Sequence, residues 1–347
     1  MTPRTRVLTV IDRKKPDRIP IGFDVHEGIL KKLFEHFGVT DRMSLYEAMG
    51  IDGFSVFTDS YVPPKFIGPD PVTVADGSKS DLFGIVSQKH WPLAFARTPA
   101  DLDRYRWPQA DWFDYSDIGQ RCIDVKAKGI VTVGGEGGCG ITHAINLRGY
   151  ELALTDPMLE PELTHAYMER MGDFFVEWNE RWLSAAAGEF DIYRCGDDMG
   201  NCLAMDCSPA VWREFYKPQL ARIWAAAKKH GLKIWFHCCG CCRPVLDDLV
   251  EMGVDLLDPV PQYVAGNDHK ELKRIYGSSL AFVGGVDQPN VLVRGRPRDV
   301  ERDVKRCIDT LGVDGGYILA GSQVLTDDIP FENVLTMFKT AVEYGRY

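Results

Sequence analysis

Short apolar runs alternate with longer amphipathic stretches along most of this chain. The runs at 19–23, 53–57, 131–134, 191–194, 232–236, 255–257, 281–286 and 316–320 read as buried strands. Between several of them the apolar positions recur at helical spacing. One such helix is expected over about 160–187. Another opens at Ser208, an N-cap, with Pro209 at the first helical position, and runs to about Lys229, with Gly231 just past its end. The stretch from Arg243 to Gly253 also carries helical spacing. Eight strands with intervening helices predict an α/β fold, a single (β/α)8 TIM-type barrel over residues 1–347. Only 68–110 breaks the alternation. It is rich in Pro and polar residues and reads as an excursion over the barrel mouth.

Composition narrows the classes. The 347 residues are 45% hydrophobic, enough for a large core, and a barrel of this length forms one domain. A net charge of −10 argues against a nucleic-acid groove or an anionic membrane surface. Ten cysteines fall below the density of a disulfide scaffold, and four crowd one loop, as expected of reduced thiols in the cytoplasm. The first residues, Met1 to Arg18, contain no long apolar core of a signal peptide, and no apolar run is long enough to span a bilayer.

That cysteine-rich loop is Phe236-His237-Cys238-Cys239-Gly240-Cys241-Cys242, between a strand and a helix. Imidazole and thiolate suit a borderline-soft metal such as zinc. His237 and Cys239 are two residues apart, so an extended backbone points both the same way. Two other readings compete. Cys238/Cys241 and Cys239/Cys242 are CxxC pairs of the redox kind, and free cysteines often pack as small hydrophobes. No second CxxC stands at zinc-finger distance, which opposes a closed four-thiolate site.

In a barrel, chemistry collects at the C-terminal ends of the strands. Those ends carry Asp24 and His26, Asp59, Glu136, Cys195 with Asp197 and Asp198, His237 and Cys239, Asp258, Asp287, and Ser322 with Gln323. A single Asp there is ordinarily a cap or turn former; the convergence of many on one rim points to a site. The glycine run from Gly134 to Gly140 lacks the Walker Lys-Ser/Thr and the GxGxxG pattern, and is expected to let backbone approach a ligand closely.

These segments together resemble the uroporphyrinogen decarboxylase superfamily. The resemblance rests on Asp17-Arg18-Ile19-Pro20, Phe57-Thr58-Asp59-Ser60, Ser208-Pro209 through Trp212-Arg213-Glu214-Phe215 and Pro218, Gly284-Gly285-Val286-Asp287, Gly315 to Leu319, and Pro330-Phe331-Glu332-Asn333-Val334. It implies a distorted (β/α)8 barrel with Asp59 as the central acid. Two departures sort the branches. Gly22-Phe23-Asp24-Val25-His26-Glu27-Gly28 stands where true decarboxylases carry an arginine-bearing loop for substrate carboxylates. His237-x-Cys239-Gly240 resembles the zinc motif of the corrinoid-linked methyltransferases. The further cysteine that coenzyme M methylating members place near the C-terminus is Gln323 here, beside Ser322. Cys195, Cys241, Cys242 and Asp198 are the candidates to replace it.

The resemblance thus implies a zinc-assisted methyltransferase that moves a methyl group between a small methylated compound, such as a methoxy-aromatic, and a corrinoid (cobalamin) on a separate corrinoid protein. The expected metal ligands are His237 and Cys239, the expected catalytic acid Asp59, and the expected substrate contacts Asp24, His26, Glu136, Asp198, Asp287 and Gln323. Tyr61, Phe83 and Trp91 are candidates to stack on an aromatic donor, or to pack the lid. A homodimer is compatible with this reading; neither nucleic acid nor membrane is expected as a partner. Two alternatives remain: a decarboxylase of a porphyrinogen or smaller acid, and a non-catalytic tetrapyrrole-binding protein.

Overall fold

The computed structural model describes residues 1–55, 59–73, 77–86 and 90–347. Its centre is a six-stranded parallel sheet in the order β3 (Val133–Gly134), β4 (Ile192–Gly196), β5 (Lys233–His237), β6 (Val254–Asp258), β7 (Ala281–Val286) and β8 (Tyr317–Gly321). Two irregular staves close the ring. Ile21 pairs with Leu319 of β8, Gly22 with Phe54, and Tyr61 with Val133 of β3, all in parallel sense. The eight-stave barrel is therefore present, with the expected strands at 19–23 and 53–57 reduced to isolated bridges. Val56 and Phe57 of the second run lie outside the described residues.

Side-chain alternation sorts each strand into two layers. Ile192, Trp235, Leu256, Ala281, Val283 and Ile318 point into the barrel. The helix Pro3–Ile11 plugs its N-terminal end with Val7, Val10 and Ile11. That plug is pinned by the buried Asp52, which pairs with Arg6 and, at 2.6 Å, with Arg18, while Arg6 also reaches Asp17 at 2.7 Å. The alternate residues, such as Tyr193, Cys195 and Phe236, face outward under the helices. The long helix Pro161–Ala185 buries Phe175, Trp178 and Trp182 against this outer layer.

Two expected helices are locally irregular for a stated reason. The one opening at Ser208 begins with Pro209–Val211, passes through a π-helical turn at Trp212–Tyr216, and continues as Lys217–Lys229. Pro218 has no N–H for the α-helical ladder, and the wider turn before it absorbs the missing bond. The segment after the cysteine loop is a 3-10 turn, Arg243–Val245, followed by a short helix, Leu246–Glu251. The excursion packs beside the long helix and is tied by a short antiparallel pair, β1 (Lys65–Phe66) against β2 (Phe113–Asp114). Among the described residues no helix is long and apolar enough to cross a membrane.

Candidate metal and substrate site

His237 ends β5, and its parity with Trp235 turns its ring into the barrel mouth. Its Nδ1 lies 2.9 Å from Asp258 Oδ2 at the end of the neighbouring β6. The Trp235 indole N–H donates to the same oxygen at 3.0 Å. With Nδ1–H donating to Asp258, Nε2 is left to face the thiol of Cys239, 3.0 Å away. Burial pulls the His237 pKa down, but the bonds to Asp258 and Cys239 and their charges outweigh it and push it up to about 10.

The loop after β5 is held on several sides. Cys238 donates its backbone N–H to Asp258 O at 2.7 Å, Cys239 donates to Asp198 Oδ1 at 2.7 Å, and Cys241 donates to Asn201 O at 2.9 Å. Gly240 lies so close to the backbone of Gly200 that any β-carbon there would collide. These contacts bring ligand atoms of Asp198, His237 and Cys239 within 4.8 Å of one another. The Cys239 thiol also donates to Gln323 Oε1 at 3.4 Å.

A donor set of imidazole, thiolate and carboxylate, its imidazole oriented by a second carboxylate, fits zinc. Beside it lies a cavity of about 160 Å³ whose walls include Asp24, Phe54, Trp235, Asp258 and Gln323. Burial pushes the Asp24 carboxyl up to about 6; the Ser55 hydroxyl, which donates to it, and the charges of Arg194 and His237 oppose the shift, while Asp258 adds to it. Arg194, on the inward face of β4, lies 3.5 Å from the Glu136 carboxylate, which also accepts from the Tyr61 hydroxyl at 3.1 Å.

The expected residues therefore divide. Asp24 and Gln323 line the cavity, Asp198 joins the metal cluster, and Glu136 belongs to the Tyr61–Arg194 group. Asp59 accepts from the Tyr46 hydroxyl at 2.9 Å and does not line the cavity. Asp287 caps the turn Gln288–Leu292 through the Asn290 N–H at 3.0 Å, a structural role. His26 is exposed at the start of helix Glu27–Phe37. Phe83 is buried among Phe174, Phe175 and His143, and Trp91 sits exposed over Gly149, so neither lines the cavity.

Several alternatives are corrected. All ten cysteines are free thiols, so neither CxxC pair is a disulfide. Cys195 points outward, donating to Trp235 O at 3.6 Å. Cys241 donates to Ala265 O at 3.4 Å, and buried Cys238 donates to Gly240 O at 3.5 Å. None of these joins the metal cluster. The glycine run serves the chain's own packing: a β-carbon at Gly138 would strike Gly196, and one at Gly140 would strike Asp197. Asp197 is a cap, accepting from the backbone of Ile141 and Thr142 at 3.1 and 2.9 Å. Sequence reading missed the roles of Asp258, Trp235, Arg194 and Ser55. The inward parity of the strands was their available signal.

The sequence profile of the uroporphyrinogen decarboxylase family (URO-D) matches residues 40–344. The chain belongs to the uroporphyrinogen decarboxylase family. Within this family setting, a methylated-thiol–coenzyme M methyltransferase of Methanosarcina mazei is 23% identical over 204 residues, 58% of this chain and 50% of that relative. The match thus spans half the length of the relative. A solved methyltransferase from Methanosarcina mazei shares the fold, with a TM-score of 0.64 over 99% of each chain at 18% identity.

Proposed function

We propose that this member of the family is a zinc-assisted methyltransferase that moves a methyl group from a small methylated compound to a corrinoid on a partner protein. The observation that carries the reading is His237, oriented by Asp258, with Nε2 3.0 Å from Cys239 Sγ beside the cavity. The similarity to a methyltransferase supports the reaction class. The cavity supports a small donor: about 160 Å³ is close to the ~150 Å³ that holds one benzene ring.

Zinc, held by His237 and Cys239, would supply Lewis acidity toward the heteroatom that bears the methyl group. The chain's own groups do the rest. Asp258 fixes the ring of His237, and Trp235 fixes Asp258. Phe54 and Trp235 exclude water and offer apolar surface to the donor. A corrinoid acceptor would supply the electron pair for the new bond to the methyl carbon, while the C–O pair would stay on the departing oxygen. Asp24, whose carboxyl retains a proton near pH 6, hands that proton to the departing oxygen. We assign the proton to Asp24 because it lines the cavity and Asp59 does not. Asp59, fixed by Tyr46, is left an orienting role.

The first test is metal content. Purified chain, stripped and reloaded, is expected to hold about one zinc, as a single three-residue site implies. His237→Ala/Cys239→Ser is expected to hold none, and full retention in that variant contradicts the reading.

A further inference from the structure

We propose that Asp198 is the third protein ligand of the metal, so that the site holds one thiolate, one imidazole and one carboxylate, and that this set directs it to oxygen-linked rather than sulfur-linked methyl groups. The proposal rests on the metal reading above and specifies its coordination and its substrate class.

Three observations carry it. First, among the described residues the ligand atoms of Asp198, His237 and Cys239 form one cluster within 4.8 Å. Adjacent ligand atoms of a tetrahedral zinc with bonds of about 2.0–2.3 Å stand roughly 3.3–3.8 Å apart, so small side-chain movements suffice. Second, Asp198 is tied to the loop it would share. One of its oxygens accepts the Cys239 N–H at 2.7 Å, its own N–H donates to the Thr142 hydroxyl at 3.0 Å, and the second oxygen remains for the metal. Third, no other thiol reaches the cluster. Cys195 faces the outer layer, Cys238 donates to Gly240 O, and Cys241 donates to Ala265 O. Among the described residues Cys239 is the one thiol in the cluster.

The chemistry follows from ligand softness. Thiolates give up charge to zinc and make it a softer, weaker acid, whereas carboxylate and imidazole leave it harder. Gln323 adds to this trend as a positioning residue. Its amide meets Cys239 Sγ at 3.4 Å and, with the sulfur ionised, turns its N–H₂ toward it, drawing charge from the one thiolate. A zinc ion in such a set favours an ether or alcohol oxygen over a thioether sulfur. A fourth position stays open, as in catalytic rather than structural sites.

The test is X-ray absorption at the zinc edge of the zinc-loaded full-length chain, with affinity measured by chelator competition. Wild type is expected to show one sulfur and otherwise nitrogen or oxygen neighbours. Asp198→Ala is expected to lose more than about 100-fold in zinc affinity, exceeding the usual cost of removing an outer partner. Asp198→Cys is expected to bind zinc with two sulfurs, and its cobalt(II) form to show stronger thiolate-to-metal absorption than wild type. Asp198 is exposed, so both variants are expected to fold, and circular dichroism checks it. Two sulfurs in wild type, or one sulfur and unchanged affinity in Asp198→Cys, overturns the assignment while leaving the metal reading intact. No zinc in wild type, or equal zinc in His237→Ala/Cys239→Ser, overturns the metal reading and this assignment with it.

Discussion

The Nδ1 atom of His237 lies 2.9 Å from Oδ2 of Asp258, across the β5–β6 pair, and this contact settles which ring nitrogen faces the loop. Asp258→Asn keeps the shape and removes the charge. Its amide can donate to Nδ1, which drives the proton to Nε2, the nitrogen a metal needs bare. We expect zinc affinity to fall about 10–100-fold, the usual cost of losing such a partner. Chelator competition measures it. Unchanged affinity would show that the orientation is set by packing alone.

A second prediction concerns pH and stability. Burial raises the Asp24 carboxyl from an unperturbed 3.8 to about 6. Between these values the folded chain binds more protons than the unfolded one. Stability is therefore lost as pH rises through the window from about 4 to 6, and the penalty persists above it. Its ceiling is on the order of 3 kcal/mol, from about two pKa units. Asp24→Asn should be more stable than wild type by ~1–3 kcal/mol at pH 8, with the difference vanishing near pH 4. Denaturant melts at both pH values check this. A loss of stability at pH 8 would contradict the sign. The same variant should turn over slowly, because it has no proton to give.

How far the site was legible depended on closure of the barrel. The His237–Cys239 pair needed only the two-residue spacing, and six parallel strands match apolar runs. Arg194 and Cys195 are adjacent in sequence, yet one faces the mouth and the other the outer layer. Which face is interior is fixed by the ring of neighbours, not by the strand alone. Asp258 was visible as a strand-end acid, but its partner was set by the β5–β6 register. The π turn at Trp212–Tyr216 followed from Pro218, a local signal that the helical periodicity of its flanks obscured.

The thiols outside the cluster give a third prediction. Cys195→Ser and Cys241→Ser should each keep about one zinc, and Cys239→Ser should lose it, because only Cys239 joins the cluster. Zinc analysis after dialysis reads the result. Loss of metal in Cys195→Ser or Cys241→Ser, with the fold intact, would place a second sulfur at the site.

A fourth prediction concerns the family's name. A cavity of about 160 Å³ holds a single small ring, and Asp24 and Asp258 in its wall oppose a polyanion. Uroporphyrinogen should give no coproporphyrinogen with this chain. Conversion at an enzyme-like rate would restore the decarboxylase reading.

The most direct measurement of the central claim is the absorbance change from cob(I)alamin to methylcobalamin. It should be followed with zinc-loaded chain over a panel of methoxy-aromatics, methanol and methylamines. The account predicts donor-dependent methylation of cobalt by wild type, fastest with an oxygen-linked donor, and its loss in Cys239→Ser. No methylation with any donor, together with no demethylation of methylcobalamin by any thiol, would contradict it.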